Sequence, residues 1–299
     1  CQTLIGYGAP NKQNTSSSHG APLGEEEIQI AKKNMKWNYD KFQIPDEIIK
    51  SWREVANRNI EKCITSCLQQ KEKDFEIIVF DNYSTDSTLK ILKKFGKKIR
   101  KFKKKRPSSS PALNQIDLIK NATHKSRGKY VCLLDADDYF SVNKLSIVKK
   151  YFLRKKNVST IFDLPIKKYI SYEKKFKDKK KLQKNIWPSI IPTSGISCKK
   201  VFFKQFLKKI FVKKYKNLEI DFRFNVYARN LHKNFFICED NLTIYRQVDD
   251  GIMSNIKKFS KKWWIKRLEA HNFMEKLFYN HNIEYRNKLD FLLSKIFGK

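Results

Sequence analysis

The sequence predicts an α/β fold in which a mostly parallel sheet is flanked by helices. A helical C-terminal region follows, and a poorly integrated N-terminal segment precedes it. Two short apolar runs, FEIIVF at 75–80 and KYVCLL at 129–134, have the length and composition of buried strands. Amphipathic helical patterns alternate with these runs, which is typical of a parallel sheet. Each run ends in an acidic turn, where ligands bind in such folds.

The remaining elements follow from local patterns. Residues 1–24 are rich in Gly, Ser and Pro and are predicted to form a loop. The next segment opens with three Glu and ends in Lys, which suits the dipole of a helix. Asp46, after a proline, is a plausible helix cap. Helices are predicted over 25–36, 46–57, 59–70, 87–95, 111–125, 144–156 and 261–278, and a further strand over 99–105.

Composition limits the class of protein. The chain has 299 residues, is 40% hydrophobic and carries a formal charge of +34, so it can fold but attracts anions. Nucleic acid, acidic lipid or phosphorylated substrates are possible partners. The lysines are spread along the whole chain, which favours an ordinary solvated surface and weakens the case for nucleic acid.

Localisation is predicted from what the sequence lacks. The six cysteines are scattered without metal spacing, which fits reduced thiols. The sequence shows neither a signal peptide nor an apolar run long enough to span a membrane. We therefore expect a cytoplasmic protein, with a peripheral position at the inner face of the membrane as an option.

The densest acidic cluster lies in VCLLDADDYF, residues 131–140. Asp135, Asp137 and Asp138 follow a predicted strand within four residues. Carboxylates this close repel one another, which raises their pKa values. A hard divalent cation such as Mg²⁺ or Mn²⁺ would relieve the repulsion and share its ligand shell with a diphosphate. The alternative is that Asp137 or Asp138 caps the next helix.

These two strand–turn segments carry a family resemblance. FEIIVFDNYSTDST, at 75–88, followed by GKYVCLLDADDYFSVNKL, at 128–145, resembles the family 2 glycosyltransferases, whose GT-A fold is Rossmann-like. The resemblance runs from about 59 into the 270s. It implies metal-dependent, inverting transfer of a sugar from a nucleotide-diphosphate sugar to a hydroxyl acceptor. A cell-surface glycan or a lipid-linked molecule is the acceptor class that it suggests.

The resemblance also implies roles for the acidic residues. Asp81 matches the carboxylate that contacts the nucleotide base or ribose. Asp135 matches a ribose and metal contact, and Asp137 matches the metal ligand that holds the diphosphate. Asp138 is expected to support the turn. Tyr83 replaces a glycine that is usual in the family's first turn.

The acceptor half is expected later in the chain. NLEIDFRFNVYA, at 217–228, resembles the family segment that supplies the general base, for which Asp221 is the first choice and Glu219 the second. Surface charge at the start of a helix is the alternative. Arg246 resembles a diphosphate contact, with an ordinary salt bridge as the alternative.

Two further segments leave alternatives open. The helix at 261–278 contains Trp263 and Trp264, which suggest an acceptor platform, a membrane-surface contact or core packing. The basic run KKIRKFKKKR, at 97–106, suggests a lipid or nucleic-acid patch, or a charged strand edge that resists pairing.

The first 56 residues do not match the glycosyltransferase pattern. An apolar strand should precede the helix at 59–70 and is missing. The segment 1–56 instead resembles a fragment of the thiamine-diphosphate domain of transketolase, through IGYGAPNK and HGAPLG. Lys12 and His19 match positions near that family's cofactor and substrate. The rest of its site is absent, so neither transketolase activity nor thiamine diphosphate is expected.

The chain is therefore interpreted as a chimaera. The predicted divisions are a transketolase-like fragment at 1–56, a glycosyltransferase domain at 57–255 and a helical region at 256–299. TLIGYG, at 3–8, is a candidate substitute for the missing strand. The alternatives to an active glycosyltransferase are an inactive remnant, a protein classed as transketolase-like by its first segment, and a basic protein that binds membrane or nucleic acid.

Overall fold

A computed structural model describes residues 4–104, 110–169, 172–175, 190–210, 213–246, 256–279, 281 and 288–298, with backbone alone for 50–59. The chain divides into two compact units, Cys1–Val55 and Ala56–Lys299, each described by itself. Within the described residues, no helix combines the length and apolar character that crossing a membrane requires.

The described part of the first unit contains turns, the helices α1 (Ser17–Gly20) and α2 (Glu25–Asn34), and the beginning of the helix that starts at Asp46. The predicted loop is therefore interrupted by one helical turn, and the helix predicted at 25–36 is confirmed as α2. The Asn34 side chain ties α2 to the turns by donating to Gly8 O at 2.8 Å. The described part of TLIGYG forms turns and no strand, so it does not supply the missing strand here.

The other helices are mostly those predicted. The segments 46–57 and 59–70 differ, since they form one helix instead of two. Neither Gly nor Pro interrupts 46–68, so nothing local ends the first helix. The helices are α3 (Asp46–Leu68), α4 (Thr88–Lys94), α5 (Pro111–Lys125), α6 (Lys144–Arg154), α7 (Lys200–Lys209), α8 (Ile220–Asn225), α9 (Lys261–Phe278) and α10 (Lys288–Phe297), and a π-helical turn covers Val226–His232.

Ten described strands form three sheets. The strands are β1 (Ile78–Asp81), β2 (Arg100–Lys103), β3 (Tyr130–Cys132), β4 (Tyr139–Phe140), β5 (Thr160–Asp163), β6 (Ile166–Lys168), β7 (Glu173–Lys175), β8 (Ile196–Lys199), β9 (Phe235–Cys238) and β10 (Thr243–Arg246). Their orders are β1-β2, β4-β10-β6-β7 and β3-β8-β5-β9. The mixed α/β architecture matches the prediction. It contains more antiparallel pairs than expected, because β8 runs antiparallel to both β3 and β5.

The two predicted strands that end in acidic turns belong to different sheets. β1 pairs in parallel with β2, and β3 pairs with β8. Glu76 joins the beginnings of the two strands, since its carboxylate accepts from the backbone N–H groups of Arg127 and Gly128. Among the residues that the structure describes, no strand pairs with the second edge of β1 or of β3.

The main core is aromatic and lies between the β3-β8-β5-β9 sheet and the later helices. Phe203, Phe206 and Phe224 are fully buried and pack ring against ring. A smaller cluster holds α3 beside the first sheet, where Ile64 packs with Leu92 and Ile99. Burial of this apolar surface fixes both strand ends that carry acidic turns.

Candidate active site

The acidic turn after β3 is held by its last aspartate. Asp138 is fully buried, and its Oδ2 accepts from the Ser194 hydroxyl at 2.6 Å. Its Oδ1 accepts from the backbone N–H of Arg246 at 2.8 Å. Helix α6 begins only at Lys144, after Asn143, so the alternative in which Asp137 or Asp138 caps this helix is wrong.

Residues far along the chain orient Asp135. The Ser194 hydroxyl also accepts from the Asp135 backbone N–H at 3.0 Å, so one side chain joins two aspartates. Gln115 in α5 donates from Nε2 to Asp135 Oδ1 at 3.1 Å. Thr243 in β10 donates to Ser194 O at 3.1 Å. Sequence reasoning did not single out these three polar residues, because only tertiary packing brings them to the turn.

The backbone around Ser194 requires a glycine. A Cβ atom on Gly195 would lie 2.7 Å from Ile191 Cγ2 and 2.9 Å from Asp163 O. The chain therefore passes close to β5 here, which places the Ser194 hydroxyl beneath the acidic turn. The segment IPTSGIS was a usable signal, since a glycine between polar residues often marks such close approach.

The electrostatics of the turn favour a bound cation. Burial, and then the charges of Asp138 and Asp137, raise the pKa of Asp135 to about 7. Burial also raises the pKa of Asp138 to about 7, although its hydrogen bond from Ser194 opposes the shift. A divalent cation would remove the repulsion that contributes to these shifts.

The residues present fit a shared metal site better than a complete protein cage. In the described part of the chain, no group of three or more His, Cys, Asp or Glu side chains is arranged to hold a metal ion. Mg²⁺ commonly uses one or two carboxylates and completes its shell with water and substrate phosphates. Asp135 and Asp137 carry hard carboxylate oxygens of the kind that such a site uses.

Asp81 lies at the end of β1 and is buried. Its Oδ1 accepts from the Ser84 backbone N–H at 3.2 Å. Its Oδ2 is buried, and no described residue makes a hydrogen bond to it. Burying a carboxylate oxygen without a hydrogen-bond donor costs folding free energy. A hydroxyl or amide of a bound ligand would supply the donor.

Helix α5 connects Asp81 to the acidic turn. The Lys104 backbone N–H donates to Asp81 O at 3.1 Å, and the Lys104 ammonium donates to Asn114 Oδ1 at 2.7 Å. The next residue of α5, Gln115, contacts Asp135. The contacts thus run from one predicted site residue to the other through consecutive residues of a single helix.

The first turn is strained at Tyr83. This residue adopts φ +59°, a conformation that favours glycine. Its ring lies beneath the Lys103 ammonium, 5.5 Å from the centroid. The glycine that the resemblance leads one to expect would adopt this backbone without strain.

The predicted base lies in the first turn of α8. Burial raises the pKa of Asp221 well above its usual range, and the charge of Glu219 raises it further. The charge of Asp135 makes a smaller contribution to the pKa of Asp221 in the same direction. Glu219 forms an ion pair with Lys266, with 2.6 Å between the Lys266 Nζ and Glu219 Oε1 atoms. Asp221 is therefore better placed than Glu219 to accept a proton.

Arg246 closes over the acidic turn. Besides the contact of its backbone to Asp138, its Nε donates to the Asp137 carbonyl oxygen. The Arg246 side chain therefore holds the turn by a hydrogen bond to the turn's backbone as well as by its positive charge. Residues 247–255, which follow it, lie outside the described part of the chain.

The strand–turn geometry agrees with a family match. The sequence profile of glycosyl transferase family 2 matches residues 48–211, more than half of the chain. The chain belongs to glycosyl transferase family 2. The acidic turns at Asp81 and Asp135 both lie inside the matched range.

Solved structures confirm the predicted GT-A-type fold. TarS from S. aureus in complex with UDP-GlcNAc matches with a TM-score of 0.58 and 16% identity, covering 80% of this chain and 69% of that chain. A mannosyltransferase from Pyrobaculum calidifontis in complex with GDP-Man and Mn²⁺ matches with a TM-score of 0.50 and 12% identity, covering 80% and 65%. At these identities the similarity shows the fold alone.

The N-terminal resemblance is also confirmed. The profile of the thiamine diphosphate binding domain of transketolase matches residues 1–76, overlapping the family 2 match. A transketolase from Buchnera aphidicola subsp. Acyrthosiphon pisum is 60% identical over 52 residues, or 17% of this chain and 8% of that protein. Transketolase 1 from Escherichia coli is 50% identical over 52 residues, with the same coverage. The chain thus spans less than a tenth of these relatives.

Proposed function

We propose that the chain is an inverting glycosyltransferase that uses a nucleotide-diphosphate sugar and a divalent cation. The observation that carries the proposal is the acidic turn after β3, in which the Ser194 hydroxyl joins Asp135 to Asp138 and Gln115 orients the Asp135 carboxylate. This turn is suited to a metal and diphosphate, and the half-buried Asp221 at a helix start, whose pKa burial raises, is suited to a base. A glycan or a lipid-linked molecule is the proposed acceptor class.

The donor side is assigned to the residues around β1 and β3. Asp137 and Asp135 would hold Mn²⁺ or Mg²⁺, which when bound supplies Lewis-acid stabilisation of the departing diphosphate. The Oδ2 of Asp81, to which no described residue makes a hydrogen bond, would accept from the base or ribose. Arg246, beside the same turn, would contact the diphosphate while it holds Asp137 and Asp138.

The acceptor side is assigned to Asp221. Its raised pKa, relative to an exposed aspartate, makes it a stronger base once ionised. It would take the proton of the attacking hydroxyl as the bond to the anomeric carbon forms and the nucleoside diphosphate leaves. Glu219 is engaged by Lys266 and would instead set the charge around Asp221.

The proposed organisation assigns these roles to 57–255. Residues 1–56 are proposed to be a transketolase-like addition without thiamine chemistry, and 256–299 a helical region. The second candidate is an inactive remnant of the same fold. The specific observation in its favour is that β1 and β3 lie in separate sheets among the described strands, since both strands lead into the donor site.

A panel of nucleotide-diphosphate sugars tests the proposal. Wild-type chain should release nucleoside diphosphate from one of them in the presence of Mn²⁺. Asp221→Asn should retain donor binding and lose turnover, whereas Asp137→Ala should lose both. Val201→Asp, at a highly exposed site on α7, is the matched control and should change neither. A folded wild-type chain that binds no donor would favour the inactive remnant.

A further inference from the structure

The last helix exposes an apolar stripe. On α10, Leu289, Leu292, Ile296 and Phe297 are 66%, 54%, 60% and 51% exposed. Their spacing of three, four and one residues places them on one side of a helix. Isolated apolar side chains are common on protein surfaces, but a contiguous row of this kind marks an interaction surface.

The acidic residue of α10 lies on the side of the helix that packs on α9. Asp290 accepts from Arg267 Nη2 at 2.7 Å and contacts His271 Nε2 at 2.7 Å, both on α9. Ser294, one turn further, is fully buried. Asp290, Ser294 and Phe297, which borders the stripe, therefore lie on the side of α10 that packs on α9, while Leu289, Leu292 and Ile296 face away from that contact.

The beginning of α9 extends the apolar surface. Trp264 packs against Phe297 at 5.3 Å between centroids, and Phe259 packs against Trp263 at 5.2 Å. Trp264 is 9% exposed, which agrees with core packing, one of the three roles suggested for this helix. Phe259, by contrast, is 62% exposed. We call Phe259 and the four exposed residues of α10 the apolar face.

Lysines border this face. Lys257, Lys258, Lys261 and Lys262 are exposed around Phe259 and the start of α9, and Lys295 is exposed on α10. The Lys258 ammonium lies 4.9 Å from the Phe259 ring centroid, so cationic and apolar groups are adjacent. Ammonium groups beside apolar and aromatic side chains suit a surface whose head groups are anionic and whose interior is hydrocarbon.

We propose that the apolar face binds peripherally to a membrane surface containing anionic lipid. The apolar side chains would enter the boundary between head groups and acyl chains, while the bordering lysines pair with lipid phosphates. A folded protein partner fits this surface less well, because lysine is depleted in protein–protein interfaces relative to the rest of the surface. This inference concerns the surface alone and does not depend on the proposed catalytic activity.

Vesicle co-sedimentation tests the inference with the full chain. Wild type should bind vesicles made of equal parts phosphatidylcholine and phosphatidylglycerol, and should bind phosphatidylcholine alone much more weakly. The double variant Leu292→Asp, Ile296→Asp should lose at least about tenfold in partitioning to the anionic vesicles. Val201→Asp, 70% exposed on α7, is the control for adding a carboxylate at an exposed apolar position and should bind normally.

Two Lys→Glu double variants distinguish binding by lysines at the apolar face from binding by the overall charge of +34. Lys261→Glu with Lys262→Glu should weaken binding to anionic vesicles several-fold more than Lys93→Glu with Lys94→Glu. The latter pair is exposed on α4 and changes the net charge equally. Equal losses in the two charge variants would overturn the proposal, as would no binding by wild type. A wild-type dimer that L292D/I296D converts to monomer would also overturn it, by showing that a second copy covers the face.

Discussion

Replacing Ser194 by alanine removes the hydroxyl that joins Asp135 and Asp138. The hydroxyl accepts from Asp135 N at 3.0 Å and donates to Asp138 Oδ2 at 2.6 Å, and both Ser194 and Asp138 are fully buried. A neutral hydrogen bond contributes about 1 kcal/mol and one to a charged group about 2 kcal/mol, so the expected loss in unfolding free energy is about 3 kcal/mol.

The loss should depend on pH. Because the Ser194 hydrogen bond lowers the pKa of Asp138, it is stronger to the ionised carboxylate. The Asp138 pKa is raised to about 7, so Asp138 is protonated in mildly acidic solution and ionised above neutrality. The destabilisation should therefore grow as the pH rises through about 7, and fall towards the neutral hydrogen-bond value below it.

Urea unfolding at two pH values measures both effects. Ser141→Ala is the matched control, since its Oγ is buried, lies near the same turn and has no hydrogen-bond partner among the described residues. It should change the unfolding free energy by less than about 1 kcal/mol. A Ser194→Ala variant as stable as Ser141→Ala, or a loss that does not increase with pH, would refute the reasoning about this turn.

Three further predictions concern strain, charge and burial. Tyr83→Gly should be more stable than Tyr83→Ala by about 1 kcal/mol in urea unfolding, because only glycine adopts φ +59° without strain; equal stabilities would contradict this. Glu219→Gln should lower the pKa of Asp221 and move the acidic limb of the pH–rate profile to lower pH, since the Glu219 charge raises that pKa; an unmoved limb would remove Asp221 as the base. Lys144→Met should destabilise by about 3–5 kcal/mol by leaving the buried Asp163 carboxylate unpaired. The double variant with Asp163→Leu should regain most of this loss. If it does not, lost packing rather than the unpaired carboxylate explains the destabilisation.

Elements with a strong local pattern were predictable from the sequence. Helices α5 and α9 have the predicted bounds, because each has amphipathic spacing and a serine cap. Strands β1 and β3 were recognised as apolar runs bounded by turns. Strands β5, β8, β9 and β10 were not predicted, because they gain their strand conformation from pairing partners distant in sequence.

The same distinction applies to the candidate site. The acidic residues were visible because carboxylates at strand ends are unusual in a chain so rich in lysine. Gln115, Ser194 and Thr243 were not, since each is an ordinary polar residue until β8, β10 and α5 come together. The outward stripe of α10 also required the structure, because the sequence alone does not tell which side of a helix is covered.

Calorimetric titration of the full chain with UDP and GDP, with and without Mn²⁺, tests the central claim most directly. The account predicts binding of one nucleotide that requires the metal, and loss of that binding in Asp137→Ala but not in Ser141→Ala. Such a result would establish a working diphosphate site at 135–138 although β1 and β3 lie in separate sheets. A folded wild-type chain that binds neither nucleotide would contradict the claim and leave the family 2 fold without its activity.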